Sequence, residues 1–134
     1  MPSIIIPTLK YHDAAAAVDW LCDAFGFERH LVVSEDEGRI AHAQLTLGDS
    51  MIMLGSTADH SFDRYQKPPA AAGGFCTQSA YIIVDDVDAH CARARARGAH
   101  IVLEPADQDY GGRLYSCLDP ESHLWNFGSY DPWV

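Results

Sequence analysis

The stretch 109–130, DYGGRLYSCLDPESHLWNFGSY, decides the fold. It reads as strand, turn, strand. Arg113, Tyr115 and Cys117 alternate with Leu114, Ser116 and Leu118, so each set takes one face of a pleated strand. Asp119-Pro120-Glu121-Ser122 puts Asp at the first turn position and Pro at the second, where its fixed φ is favoured. From His123 to Gly128 the alternation resumes. Such a ribbon sends one row of side chains toward a covering helix and leaves the other row open. What the open row holds is the functional question.

Upstream of the ribbon, residues 79–85 (SAYIIVD) read as a strand, and Asp86 caps a helix, VDAHCARARARG, closed by Gly98. Residues 99–104 (AHIVLE) form the next strand. The second half is therefore β-α-β-β-β. The first half has the same order. Residues 3–10 (SIIIPTLK) suit a strand, with Ile4-Ile5-Ile6 at its edge and Pro7 marking an edge or bulge. Asp13 caps the helix AAAAVDWLCDAF, whose Ala17, Trp20, Leu21 and Phe25 form one apolar stripe, and Gly26 ends it. Strands follow at 27–34, 39–47 and 50–55, separated by turns at 35–38 and Gly48-Asp49. Asp13 and Asp86 are equivalent caps, and Gly26 and Gly98 equivalent ends, so the chain is an internal duplication.

The fold class is α+β. A single domain, 1–134, holds two βαβββ repeats, about 3–55 and 79–130, forming a half-open, mostly antiparallel β cup with helices on the outside. Strand 39–47 shows the two faces: Ala41, Ala43, Leu45 and Leu47 suit a helix, while Ile40, His42, Gln44 and Thr46 line the open side. The junction of two such repeats is where a ligand is expected. Residues 56–78 lack periodicity and carry Pro-Pro and Gly-Gly, so they form a connector, expected to brush the pocket.

Composition narrows the partners. Nine basic against 19 acidic residues give a net charge of −10, which repels phosphate backbones and argues against nucleic acid. No apolar run reaches the length of a membrane span, and the start lacks the pattern of an export signal, so a cytoplasmic location is expected. Cys22, Cys76, Cys91 and Cys117 form no CxxC pair and read as free thiols.

The order and spacing of LKYHDAAAAVDWLCDAFGFE, HAQLTLGDSMIML, YIIVDDVDAHCARARARGAHIVLEP and YGGRLYSCLDPESHLWNFG resemble the vicinal oxygen chelate superfamily. That superfamily includes glyoxalase I, extradiol dioxygenases, and fosfomycin- and bleomycin-resistance proteins. The likeness spans essentially the whole chain and is nearest to small single-domain glyoxalase-like proteins. It implies one divalent metal in the cup, held by two ligands from each repeat. The corresponding positions here are Ile6, Met53, Ser79 and Asn126. None supplies an imidazole or a carboxylate, so the usual metal site is not expected to form. No cofactor is expected, although a divalent metal on other residues is left open.

The resemblance thus implies a metal-free module that binds and sequesters a small molecule. The alternative is a metal-dependent glyoxalase-type lyase or dioxygenase with a non-standard ligand set including His42. It also implies a homodimer. The pocket candidates are His42, Gln44, Tyr81, Tyr110, Arg113, Tyr115 and Asn126. His42 reads either as a base or as a hydrogen-bonded structural histidine. By strand parity Arg113 and Tyr115 are placed on the face shared with His42 and Gln44. There Arg113 would bind a carboxylate, phosphate or enolate oxygen, against the alternative of a salt bridge. Trp125 and Phe127 read as core or pocket wall, and His123 as an anchor of the turn. His12, His30, His60, His90 and His100 are expected to be exposed. Arg93, Arg95 and Arg97 read as a solvated helix face.

Overall fold

The computed structural model describes residues 2–57 and 61–134; His60 lies outside the described residues. The order of elements is β1 (Thr8–Tyr11), α1 (Ala14–Phe25), β2 (Glu28–Ser34), β3 (Ile40–Leu47), β4 (Ser50–Ser56), β5 (Ala80–Ile83), α2 (Val87–Ala96), β6 (His100–Asp107), β7 (Arg113–Leu118) and β8 (Leu124–Gly128). The duplication is therefore real. Each repeat makes a four-stranded sheet, ordered β1-β4-β3-β2 in the first and β5-β8-β7-β6 in the second. The pairs β1/β4 and β5/β8 are parallel, and the others are antiparallel. Among the described residues, no helix is long and apolar enough to cross a membrane.

The caps are as expected. Asp13 accepts a hydrogen bond from the Ala16 amide and Asp86 from the Ala89 amide, each closing the first turn of its helix. Gly26 takes φ +90°, the left-handed cap that a side chain resists. Gly98 also has positive φ, although α2 already ends at Ala96.

Three differences from the sequence reading have local causes. The first strand begins only at Thr8; Ile4 and Ile5 are exposed and outside any strand. In β3, Ala41 is an extra residue opposite the step from Val33 to Ser34. This bulge shifts the alternation. Ile40, expected on the open face, is buried, and Ala41, expected under the helix, is exposed. In β6 two further irregularities, one spanning Pro105, extend the strand to Asp107.

The helix sides of both sheets share one apolar core. Phe25, at the end of α1, packs on Trp125 and Phe127 of the second sheet at ring-centre distances of 5.3 and 4.7 Å. Arg93 of α2 donates to the Asp23 and Cys22 carbonyls at the end of α1, and the Trp20 indole N–H donates to the Arg97 carbonyl. Arg93 is thus a clamp between the helices, which the sequence reading of a solvated face missed. The guanidinium satisfies the Asp23 carbonyl at the open end of α1 and shares the Cys22 carbonyl with the Gly26 amide.

His90 is half-buried rather than exposed. Its Nε2 donates to the Phe25 carbonyl at 3.0 Å, which leaves Nδ1 to accept from the Tyr115 hydroxyl at 2.6 Å. Burial lowers its pKa from the ordinary 6.5. The folded chain therefore binds this proton more weakly than the unfolded chain. Its contribution to stability is full above the unfolded value and is lost as pH falls toward the lower folded one. We expect thermal stability to fall on acidification below about pH 6.5. A His90→Gln variant should show a flatter profile in that window; an unchanged slope would remove His90 as the cause.

Candidate functional site

Because the helix sides face one another across the common core, the opposite faces of both sheets are uncovered. Partners in register point to the same side of a sheet. On the second sheet Tyr81 lies beside Asn126, Asn126 opposite Ser116, and Leu118 opposite Leu124. On the first, Gln44 lies opposite Met53 and Leu31, and His42 opposite Val33. These open faces carry exposed apolar side chains, among them Leu31, Val33, Ile83 and Leu103.

The centre of the second face is a closed polar knot. The Asn126 amide nitrogen donates to Ser79 Oγ at 2.9 Å and to the Ala80 carbonyl at 3.0 Å. Its oxygen accepts from Ser116 Oγ at 2.7 Å. Both ends of the amide are spoken for, and every partner is neutral.

At one rim of this face the Tyr81 ring lies across Gly128. A Cβ on Gly128 would stand 2.7 Å from the Tyr81 hydroxyl and 2.9 Å from the Arg113 carbonyl oxygen. The same hydroxyl donates to the Tyr130 carbonyl at 2.6 Å, and the Tyr130 ring meets Tyr110 edge-on at 5.0 Å. Gly112, at φ +74°, lets this corner close, since a Cβ there would be 2.7 Å from the Tyr130 nitrogen. Tyr81, Tyr110 and Tyr130 thus form an aromatic rim. We expect Gly128→Ala to displace Tyr81 and lower stability by about 1–3 kcal/mol. Changed Tyr81 ring resonances would check this, and an unmoved ring would contradict it.

Two candidates leave the site. Arg113 and Tyr115 sit on the helix side, not the open side. Tyr115 is fully buried and stacks on Phe127 at 5.2 Å. Arg113 reaches Asp88 of α2 at 3.0 Å and Asp107 at 3.2 Å. These carboxylates raise its pKa further, so it is a fixed, neutralised cation. The parity within β7 was right; the side assigned to it was wrong. The acid at Asp88, in the first turn of the helix α2 that covers β7, was the available signal. An Arg113→Ala variant is expected to melt slightly lower and to bind small molecules unchanged, measured by calorimetry.

His42 and Gln44 do share the open face of the first sheet. Their Nε2 atoms are 3.1 Å apart, with the Gln44 amide donating to the imidazole. They are on a different sheet from Tyr81 and Asn126, and the common core lies between the helix sides of the two sheets. One chain therefore does not bring the two groups together.

The metal-ligand positions fare no better for a metal than their residue types suggested. Asn126 is committed to Ser79, Met53 is a thioether beside Thr8, and Ile6 is an alkyl chain just before β1. Among the described residues, no three His, Cys, Asp or Glu side chains come together. These donors do not fit a divalent cation. All four cysteines are free, and burial pushes the Cys117 thiol up to about 12, which keeps it protonated.

The connector forms one wall of a groove of about 710 Å³ between the β1 edge of one sheet and the start of β5 and β8 in the other. Phe62, Tyr65 and Phe75 line it with Ile6 and Leu124. Tyr81, Asn126, His42 and Gln44 do not.

Paired βαβββ units, each with one helix-covered and one open face, define a glyoxalase-type protein. The chain matches the Glyoxalase/Bleomycin resistance protein/Dioxygenase superfamily over residues 7–127 and belongs to it. It is 33% identical to TioX from Micromonospora sp. ML1, with a TM-score of 0.72, covering 95% of this chain and 98% of that one. An uncharacterised protein of Mycobacterium tuberculosis is 31% identical over 122 residues, 91% of this chain and 71% of that protein. The fold is also that of the fosfomycin resistance protein FosX of Listeria monocytogenes, crystallised with Mn(II) and a dihydroxypropylphosphonic acid. There the TM-score is 0.71 at 15% identity, with 98% of this chain and 93% of that one covered.

Proposed function

We propose that this protein is a small-molecule binding module that works without a bound metal, holding a largely apolar ligand against the open face of its second sheet. The observation that carries this reading is the Asn126 knot. The position that would hold a metal-binding carboxylate is a neutral amide, already bonded to Ser79, Ala80 and Ser116. Tyr81 and Tyr110 supply an aromatic wall at the rim, and Leu118 and Leu124 an apolar floor.

The cup is completed by a second copy. The open faces of one chain point away from a common core, so Tyr81 and Asn126 need the first sheet of a partner, with its His42 and Gln44, to close over a ligand. Exposed Leu31, Val33, Ile83 and Leu103 support this, because apolar side chains grouped on one face mark an interaction surface. The four free thiols suit a reducing compartment, in keeping with a cytoplasmic protein.

A thermal-shift screen of metal-free protein against neutral aromatic compounds tests the reading. Binders should stabilise the wild type, and Tyr81→Ala should remove most of the shift while leaving the fold intact. Stabilisation that appears only when Mn(II), Fe(II), Ni(II) or Zn(II) is added would overturn it. Sedimentation of the same protein should give a dimer, and a monomer that still binds ligand fully would remove the second copy from the site.

A further inference from the structure

The groove walled by the connector has a charge pattern unlike the rest of the surface. The chain carries 19 acidic side chains against nine basic ones, yet among the described residues no Asp or Glu lines this groove. The chain has two lysines, Lys10 and Lys67. Lys67 is in the wall, and Lys10 places its ammonium over the Phe62 ring, 5.6 Å from the ring centre. Arg64 sits over the neighbouring Tyr65 ring at 5.7 Å. Among the described residues, none of these three cations is ion-paired, nor are Arg93 and Arg97 of α2, whereas Arg29, Arg39, Arg95 and Arg113 all are. Asp63 and Glu121 line an adjoining cavity that shares Lys67 with the groove, and Glu121 is occupied by the His12 and Asp13 amides.

We infer that this groove is a second binding site, for a small planar aromatic acid. Phe62, Tyr65 and Phe75 give flat apolar walls, with Ile6 and Leu124 behind them. A volume of about 710 Å³ accommodates a fused two-ring molecule. The Lys67 ammonium in the wall, with the Lys10 and Arg64 cations beside the Phe62 and Tyr65 rings, selects a carboxylate over a neutral end. The acidic remainder of the surface would repel such a ligand and leaves this groove as its favoured place. Cation–π contacts hold Lys10 and Arg64 ready beside the rings without neutralising them. The two sites meet at Leu124 but use different aromatic walls, Tyr81 and Tyr110 on the open face and Phe62, Tyr65 and Phe75 in the groove.

The test uses the full chain with 2-naphthoate and its neutral counterpart 2-naphthamide, followed by calorimetry and amide NMR. The acid should bind about tenfold more tightly than the amide, a preference that shrinks with added salt. Shifted resonances should include Ile6, Lys67, Phe75 and Ser79. The Lys10→Gln, Lys67→Gln double variant should bind both compounds alike, and Phe75→Ala should weaken both. Tyr81→Ala should change neither, which separates failure here from failure of the open-face reading. Equal affinity for acid and amide would overturn the inference. So would shifts confined to the Tyr81 and Asn126 face, no binding at all, or an acid preference that survives in the double variant.

Discussion

Asp119→Ala is expected to lower stability by about 3–5 kcal/mol, a large share of what a domain of this size possesses. Asp119 is 5% exposed and accepts four hydrogen bonds. The Tyr11 hydroxyl at 2.5 Å and the Trp125 indole at 3.0 Å share one carboxylate oxygen. The Glu121 and His123 amides, at 2.9 and 3.0 Å, share the other. Truncation leaves all four donors without their acceptor, two of them on buried rings. Tyr11 belongs to the first repeat and Trp125 to the second, so this one carboxylate also pins the two units together. Tyr11→Phe removes a single bond from the set and should cost only about 1–2 kcal/mol, with Asp119 still served by three donors. Denaturant unfolding of both variants checks the ratio. Equal small losses would show that the turn carries the carboxylate for local reasons alone.

The second large effect is expected from Phe25→Ala, about 3–5 kcal/mol. Phe25 is 1% exposed and touches Trp20 at 4.9 Å, His90 at 5.9 Å, Trp125 at 5.3 Å and Phe127 at 4.7 Å. It is the last residue of α1 yet packs chiefly on the other repeat. The cavity left by its ring opens where the two units meet, and neither can collapse into it alone. The variant should therefore melt at a lower temperature but still in a single transition. Two separate transitions would show that the repeats fold independently, contrary to a shared core.

Much of this architecture is legible in the sequence. Asp13 and Asp86, each followed by a helix-forming run, fixed the duplication, because a cap places a helix start to within a residue. The turn at Asp119 was readable from Asp-Pro, and His123 as its anchor, confirmed by a 2.8 Å contact to the Lys10 carbonyl. What the sequence concealed was long-range. Alternation in β7 showed that Arg113 and Tyr115 share a face, but nothing local says which face a helix will cover. The bulge at Ala41 reversed Ile40 and Ala41 in the same way. His90 looked like one more surface histidine, since its partners, the Tyr115 hydroxyl and the Phe25 carbonyl, lie 25 and 65 residues away. Tyr81 and Asn126, named from the sequence as pocket candidates, are register partners on the open face of the second sheet.

The central claim is that these residues bind a small molecule without a metal. Its most direct measurement is elemental analysis after the chain has been incubated with Mn(II), Fe(II), Ni(II) and Zn(II) near neutral pH and freed of excess ion by dialysis. The account predicts metal far below one ion per chain, and a ligand-induced thermal shift that is the same with and without a chelator. One tightly held ion per chain, removed by chelator together with ligand binding, would contradict it.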